Sequence, residues 1–295
     1  MIELTIGPNF FHWPDAQKRD FYLGLAADPH IGTVYLGEVV CSKRIPFFDV
    51  TSVRTALERA GKKVVLSTLS EVTVAADRRA VRDACGVPDC EIEVNDAAAF
   101  ESLAGRPFRI GQLLNCYNEE VLRFLAGRGA THVCLPSEMP LAAVEVMART
   151  AESLGVTTEV QVFGRASLAL SARCYHARAH GRVKDNCQFV CERDPDGLDL
   201  RTVDGDDFLA INGIQTLSWR YLNLSREVGR LRDVGVTHLR LSPHSFDMAG
   251  IAGVFAGLCS GRLAADVADE QLAALAPSAV FANGFAHRQP GYLRV

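Results

Sequence analysis

Eight short apolar runs that favour β-strands alternate with longer runs of helical periodicity along this chain. Such alternation predicts parallel strands joined by helical crossovers. Eight repeats favour closure into an α/β fold of the (β/α)8 type, a TIM-like barrel, with an open doubly wound sheet as the alternative. The predicted strands span residues 3–6, 33–36, 64–69, 91–94, 109–114, 132–135, 159–163 and 238–241.

The helical runs between these strands end on residues that stop helices. Gly61, Gly155 and Gly235 are examples of glycines at the point where a helix would pass into the next strand, as is common at helix C-termini. The predicted helices span residues 15–27, 50–60, 72–84, 96–103, 119–127, 141–154, 222–234 and 248–259.

One segment interrupts the alternation. Residues 164–221 show little helical or strand periodicity, and loops of this length are usually functional or disordered. The sequence therefore predicts a single barrel domain over residues 1–295, with a long insertion at about 164–221 after the seventh strand. The acidic, turn-rich run at 193–207 is interpreted as a solvated hairpin turn.

Charge and hydropathy narrow the function classes. The formal net charge is -4, which argues against a protein that coats nucleic acid, since phosphate binding needs a concentrated positive field. The N-terminal residues lack the basic and apolar regions of a signal peptide, and no apolar run approaches about 18 residues. We therefore expect a cytoplasmic protein without a membrane span, whose cysteines stay reduced.

Nine cysteines are present, and four of them form a distinctive set. Cys174, Cys187 and Cys191 lie in the insertion, with 12 and then three residues between them. Cys41 follows the second strand. In a barrel all loops that follow strands open on one face, where active sites lie. These four thiols are therefore predicted to converge there as metal ligands.

The other cysteines have simpler interpretations. Cys85 and Cys259 end helices, Cys90 starts a strand at the opposite face, and Cys134 lies within an apolar strand. Cys116 follows the fifth strand and competes for the place of fourth ligand.

Four thiolates can hold zinc or an iron–sulfur cluster. The absence of a CxxC pair favours the cluster, because structural zinc sites usually use such pairs. Zinc, redox-sensing thiols and unliganded thiols remain alternatives. Only half of the CxxxCxxC pattern of radical chemistry with S-adenosylmethionine is present, and it falls late in the chain.

The chain resembles the ubiquinone-biosynthesis branch of the collagenase-like "unassigned peptidase" family. The segments that carry the resemblance are 37–44, 163–174, 184–191, 212–218 and 283–287, so it covers nearly the whole chain. The resemblance implies a [4Fe–4S] cluster on Cys41, Cys174, Cys187 and Cys191. It also implies a heterodimer with UbiU, cooperation with the lipid-binding protein UbiT, and oxygen-independent hydroxylation of the ubiquinone ring, with prephenate or a quinone precursor as a ligand.

The chain departs from the wider family signature before its first insertion cysteine. The family pattern Glu-x-Phe-x-His-Gly reads Gln161-Val-Phe163-Gly-Arg165-Ala166 here. A carboxylate and a histidine that could act as acid and base are thus both missing. An active peptidase is not expected, and a role in electron transfer or in support of the partner subunit is favoured over direct hydroxylation. Catalytic residues are unknown.

Several cations near the ends of the last two strands are candidates for binding a dicarboxylate such as prephenate, since guanidinium groups bind carboxylates in pairs of hydrogen bonds. The alternative is that they offset the charge of the thiolates or form surface ion pairs. A scaffold subunit with a structural metal and a relative that hydroxylates RNA are the competing functions. The candidates are Arg165, Arg173, Arg240 and His244.

Overall fold

The computed structural model describes residues 2–103 and 105–295, and eight parallel strands form a closed barrel in it. Each strand pairs with the next along the chain, and the eighth closes the ring by pairing in parallel with both the first and the seventh. The predicted TIM-like barrel is therefore confirmed. The barrel strands are β1 (Glu3–Ile6), β2 (Ile31–Leu36), β3 (Lys63–Ser67), β4 (Glu91–Val94), β5 (Phe108–Ile110), β6 (Ala130–Leu135), β7 (Thr157–Leu170) and β11 (His238–Leu241).

Helices surround the barrel and bury their apolar faces against it, which forms the main hydrophobic core. Asp49 and Asn118 cap the helices that begin at Val50 and Glu119. Each accepts hydrogen bonding from backbone N–H groups of the first turn, as expected of such residues. No helix of the described residues is long and apolar enough to cross a membrane. The helices are α1 (Asp15–Ala26), α2 (Val50–Arg59), α3 (Ala75–Cys85), α4 (Ala99–Leu103), α5 (Glu119–Ala126), α6 (Leu141–Ser153), α7 (Tyr175–Ala179), α8 (Val228–Asp233), α9 (Met248–Cys259) and α10 (Ala265–Leu275).

The segment after the seventh barrel strand contains more regular structure than the sequence predicts. Strand β7 continues to Leu170 and pairs antiparallel with β10 (Gln215–Asn223), which pairs with β9 (Asp207–Asn212) and with the short β12 (Phe281–Ala282). β8 (Leu198–Arg201) completes this side sheet. The turn between β8 and β9 matches the predicted hairpin.

Two predicted elements are wrong in part. The helix predicted at 222–234 is a strand at its start and a helix only over α8, and the predicted strand at 109–114 ends at Ile110 before a 3-10 turn. In the first case the long-range pairing of β10 with β7 decides the outcome. Local periodicity does not report such a pairing, because sheet propensity depends on context.

Gly164 marks the point where β7 leaves the barrel. Its φ is +108°, and a Cβ atom there would lie 2.7 Å from the Cβ of Ser242. Only glycine adopts such a conformation without strain. This turn lets one strand serve both the barrel and the side sheet that carries the insertion.

A buried ionic network fills the barrel interior. Arg240 donates to Glu93 Oε1 at 2.6 Å and to Glu159, and Tyr35 and His132 also contact Glu159, both at 3.1 Å. Burial by itself would raise the pKa of Glu159, but Arg240 and His132 hold that pKa well below its usual range. The barrel centre is thus filled at this level by buried, paired side chains.

Replacing Arg240 by Met is expected to lower the free energy of unfolding by about 3–5 kcal/mol, because two buried carboxylates lose their cation. Arg232→Met is the control, because Arg232 is exposed and pairs with the exposed Asp233, and it is expected to change stability by less than about 0.5 kcal/mol. Urea denaturation followed by circular dichroism measures both. Equal stability of the two variants would contradict this account of the interior.

Candidate metal centre

All four predicted ligand cysteines line one small cavity at the C-terminal face of the barrel. Cys41 follows β2, Cys174 precedes α7, and Cys187 and Cys191 lie in the turns that follow α7. The structure therefore brings together residues that are up to 150 positions apart in the sequence. The complete lining is Cys41, Arg44, Cys174, His176, Ala177, Lys184, Cys187, Phe189, Val190, Cys191, Gly213 and Ile214.

The backbone around each thiol is held by local hydrogen bonds. Glu38 Oε1 accepts from the N–H groups of Val40 at 2.9 Å and Cys41 at 3.1 Å. The Cys174 sulfur accepts from the N–H of Ala177 at 3.4 Å and so caps α7. These contacts orient two thiols that come from distant parts of the chain.

Two consecutive residues with positive φ reverse the chain between the last two cysteines. Gln188 and Phe189 have φ values of 50° and 51°, a region that non-glycine residues seldom adopt. The Phe189 ring packs edge-on against Phe47 at a centroid distance of 4.6 Å, and His12 lies 5.6 Å away. These aromatic contacts hold the strained turn against the segment that follows Cys41.

Arg44 lines the thiol cavity with a buried positive charge. Its guanidinium is buried and donates to Phe10 O at 2.9 Å and to Asn212 Oδ1 at 3.0 Å, and it lies 3.8 Å from Glu38 Oε1. Burial raises the pKa of the Cys191 thiol, whereas Arg44 acts to lower it through its charge and a hydrogen bond. A fixed positive charge thus faces the thiols and favours their thiolate forms.

Gly213 permits this arrangement at the turn between β9 and β10. Its φ is +63°, and a Cβ atom there would lie 2.9 Å from Arg44 Nη2 and 3.1 Å from Val40 Cγ1. A larger residue would push the side sheet away from the guanidinium. Close approach of the sheet to Arg44 therefore requires glycine here.

Further polar residues surround the cavity and were not predicted from the sequence. His176 Nε2 meets Asp194 Oδ2 at 2.7 Å, and burial lowers the pKa of this histidine. Lys43 Nζ donates to Lys184 O at 2.7 Å, which joins the segment after Cys41 to the insertion. Their positions near the cysteines in sequence are the only signal that could have identified them.

Cys116 does not contribute to the cavity. It is fully buried in the main hydrophobic core, and burial raises the pKa of its thiol to about 11. Among residues 2–103 and 105–295, no three His, Cys, Asp or Glu side chains are grouped so that they could hold a single metal ion. The four predicted ligand cysteines thus line the cavity without Cys116.

The predicted substrate-binding residues are dispersed. Arg240 lies inside the barrel, where Glu93 and Glu159 already neutralise it, and Arg173 is exposed beside Cys174. The structure does not bring Arg240 and Arg173 together.

Arg165 and His244 belong to the junction of the barrel and the side sheet. The Arg165 guanidinium donates to Ser218 O at 3.0 Å and to Trp219 O, and stacks 4.5 Å from the centre of the Tyr221 ring. Its own backbone N–H donates to His244 Nε2 at 3.4 Å. The arginine therefore satisfies carbonyl groups where the pairing between β7 and β10 is irregular.

Gln161 is fully buried and fully bonded. Its side-chain amide donates to Phe163 O and Arg165 O, and its Oε1 accepts from Ser137 Oγ at 3.0 Å. A neutral amide in these contacts does not act as an acid or a base at ordinary pH. The two residues that replace the acid and the histidine of the family pattern thus both hold backbone in place.

The sequence matches the model of peptidase family U32 over residues 22–258. The chain belongs to this family. The matched region contains the barrel strands from β2 to β11 and all four cysteines of the cavity.

Solved structures of low similarity also align with most of the chain. The tryptophan synthase complex from Pyrococcus furiosus is 12% identical over 92% of this chain and 97% of that chain, with a TM-score of 0.43. An uncharacterized protein from Clostridium thermocellum, which binds two copies of 5-methyl-5,6,7,8-tetrahydrofolic acid, is 7% identical over 91% of this chain and 95% of that chain, with a TM-score of 0.46. The barrel assignment rests on the strand pairings, and no functional inference is taken from these structures.

Replacing Arg44 by Met is expected to raise the pH at which Cys191 reacts in metal-free protein. Loss of the cation leaves burial to act alone, and burial raises the thiol pKa. The rate of alkylation by iodoacetamide, followed residue by residue by mass spectrometry as pH rises, measures the change. Arg59→Met, at an exposed position at the end of α2, is the control and should keep the wild-type profile. An identical profile for Arg44→Met would contradict the assigned role.

Proposed function

We propose that Cys41, Cys174, Cys187 and Cys191 are the ligands of a [4Fe–4S] cluster. The observation that carries the proposal is the convergence of these four thiols, and of no other cysteine, on one cavity. Thiolates are the usual ligands of such clusters. Arg44 fits the group because its buried charge would offset part of the negative charge of four thiolates.

The cluster is favoured over a single zinc ion by the arrangement of the donors. Structural zinc needs four ligands about 2.3 Å from one point. The four thiols line a common cavity, and no two of them form the CxxC pair that is usual at structural zinc sites. A four-iron cluster takes its ligands from a wider perimeter, which agrees with this placement.

We further propose that the chain is a UbiV-like subunit that acts with UbiU and UbiT in oxygen-independent hydroxylation of a ubiquinone precursor. The resemblance in the segments around the cysteines supports this assignment, and membership of family U32 agrees with it. When bound, the cluster supplies one-electron transfer. Gln161 and Arg165 are occupied by backbone contacts, which favours a subunit that carries electrons over one that performs hydroxylation.

The surrounding residues would tune and protect the centre. Arg44 acts to lower the pKa of the Cys41 and Cys191 thiols against the effect of burial, and Phe189, held by Phe47, lines the cavity. Hydrogen bonds and exclusion of solvent are main determinants of cluster potential. A second candidate is a scaffold subunit whose metal only fastens the insertion to the barrel, since Cys41 lies on the barrel and the other three thiols on the insertion.

Protein purified without oxygen is expected to contain about four irons and four sulfides per chain, the content of one [4Fe–4S] cluster. Replacing any one of the four ligand cysteines by Ala should remove most of the iron. Cys116→Ala, at a buried position outside the cavity, should retain it. Metal analysis with an absorption spectrum measures these contents, and one zinc per chain would overturn the proposal.

The same variants separate the redox role from the scaffold role. A redox subunit should keep its circular dichroism spectrum and lose activity when a ligand cysteine is replaced. A scaffold should lose folded protein, and its activity should fall only in proportion.

Cells that lack the gene are expected to make no ubiquinone without oxygen and normal amounts with oxygen, because the proposed reaction replaces an oxygen-dependent one. Quinone extraction and chromatography under both conditions measure this. An unchanged quinone level in anaerobic cells would remove the assignment, while the cluster proposal would stand or fall on the metal analysis.

A further inference from the structure

A large apolar cavity lies on the outside of the barrel between α2 and α3, next to the thiol cavity. Its volume is about 830 Å³, within the range of roughly 300–1,000 Å³ that small-molecule sites occupy. α1 packs on α2 and α3 packs on α4, whereas residues of both α2 and α3 line this cavity. A space of ligand size therefore lies where two adjacent helices of the ring would otherwise meet.

Two hydrogen bonds tie lining residues of the cavity to neighbouring segments. Ser42 Oγ donates to Asp77 Oδ1 at 2.5 Å and ties the segment after Cys41 to α3. Arg54 Nη2 donates to Asp89 O at 3.0 Å. The apolar part of the lining includes Phe48, Val50, Leu69, Ala80, Ala84 and Val87. The two hydrogen bonds fix the positions of Ser42 and Arg54 in the lining.

Lys18 contributes an amine to the lining of the cavity, and this amine rests on an aromatic ring. Its side chain is only 6% exposed, and Nζ lies 4.7 Å from the centre of the Phe48 ring. Within the described ranges this amine has no hydrogen-bond or ion-pair partner. The contact with the Phe48 ring leaves the three N–H donors of the amine free, and an anionic group placed in the cavity would accept from them.

The charged side chains that line the cavity are positive on balance. Five cations line it against three carboxylates, although the whole chain has a net charge of -4. One of the three carboxylates, Glu38, is already bound to the backbone and near Arg44. The cations are Lys18, Lys43, Arg44, Arg54 and Arg79.

We infer that this cavity binds a small amphipathic molecule that has a mainly apolar body and an anionic end, with the anionic end at Lys18. The volume of the cavity and the largely buried Lys18 side chain favour a small molecule over a polypeptide. The inference goes beyond the proposed function, because binding here needs none of the four thiols. Arg44 lines both cavities, so the bound molecule would be a neighbour of the metal centre.

The test compares an anionic fluorescent probe, anilinonaphthalene sulfonate, with its neutral analogue, N-phenylnaphthylamine. Ala80→Trp fills the cavity and should weaken binding of both probes by at least about tenfold, since an overfilled site excludes its ligand. Ala75→Trp is the control, because Ala75 is exposed on the same helix and does not line the cavity. Its affinities should remain those of the wild type.

Lys18→Met tests the anionic end. The sulfonate should lose about tenfold in affinity, as expected for one charge-assisted hydrogen bond, while the neutral probe should bind as before. Arg19→Met, at the exposed neighbouring position of α1, should change neither. Circular dichroism checks that each variant is folded.

The site would be overturned if the wild type and Ala80→Trp bound both probes with equal affinity. It would also be overturned if the wild type showed no saturable binding, a result that would point to a polypeptide as the occupant. Equal loss of both probes in Lys18→Met would overturn the anionic end. Iron content measured on the same samples separates failure of this site from failure of the cluster proposal.

Discussion

The cavity that the four cysteines line depends on one buried guanidinium. Arg44 joins three parts of the molecule at the C-terminal face of the barrel, because it donates to Phe10 after β1, to Asn212 in the side sheet, and towards Cys191 in the insertion. Without this residue two acceptors would lose a buried donor, and each such loss costs about 1–3 kcal/mol. The same charge that assembles the site also favours thiolate over thiol.

The fold determines where the Arg44 guanidinium lies. The strand β7 belongs to both sheets, and its turn at Gly164 sends it out of the barrel towards β10. The loop between β9 and β10 then brings Gly213 against Arg44. Three thiols on the insertion and Cys41 on the barrel thus come together through a long-range pairing of strands, and the barrel interior is closed by the pairing of Arg240 with Glu93 and Glu159.

Sequence periodicity was enough to predict the barrel, because its strands and helices alternate locally and the handedness of crossovers leaves few topologies. It was also enough to place the four cysteines on one face, since loops after parallel strands share a side. The side sheet was missed although β8, β9 and β10 pair locally, because its attachment to the barrel is the pairing of β10 with β7, between residues about 50 positions apart. The contacts of Arg165 were not predictable either, because they depend on an irregular strand pairing that only the folded chain defines.

Two cations on this face of the barrel are buried. Lys18 and Arg44 are buried cations in a chain of net negative charge, and each contributes to the lining of a cavity. The most direct test of the central claim is X-ray absorption at the iron edge of protein purified without oxygen. The account predicts iron surrounded only by sulfur, with a second shell of neighbouring irons, both lost in Cys191→Ala. Zinc in place of iron, or isolated iron with oxygen and nitrogen ligands, would contradict it.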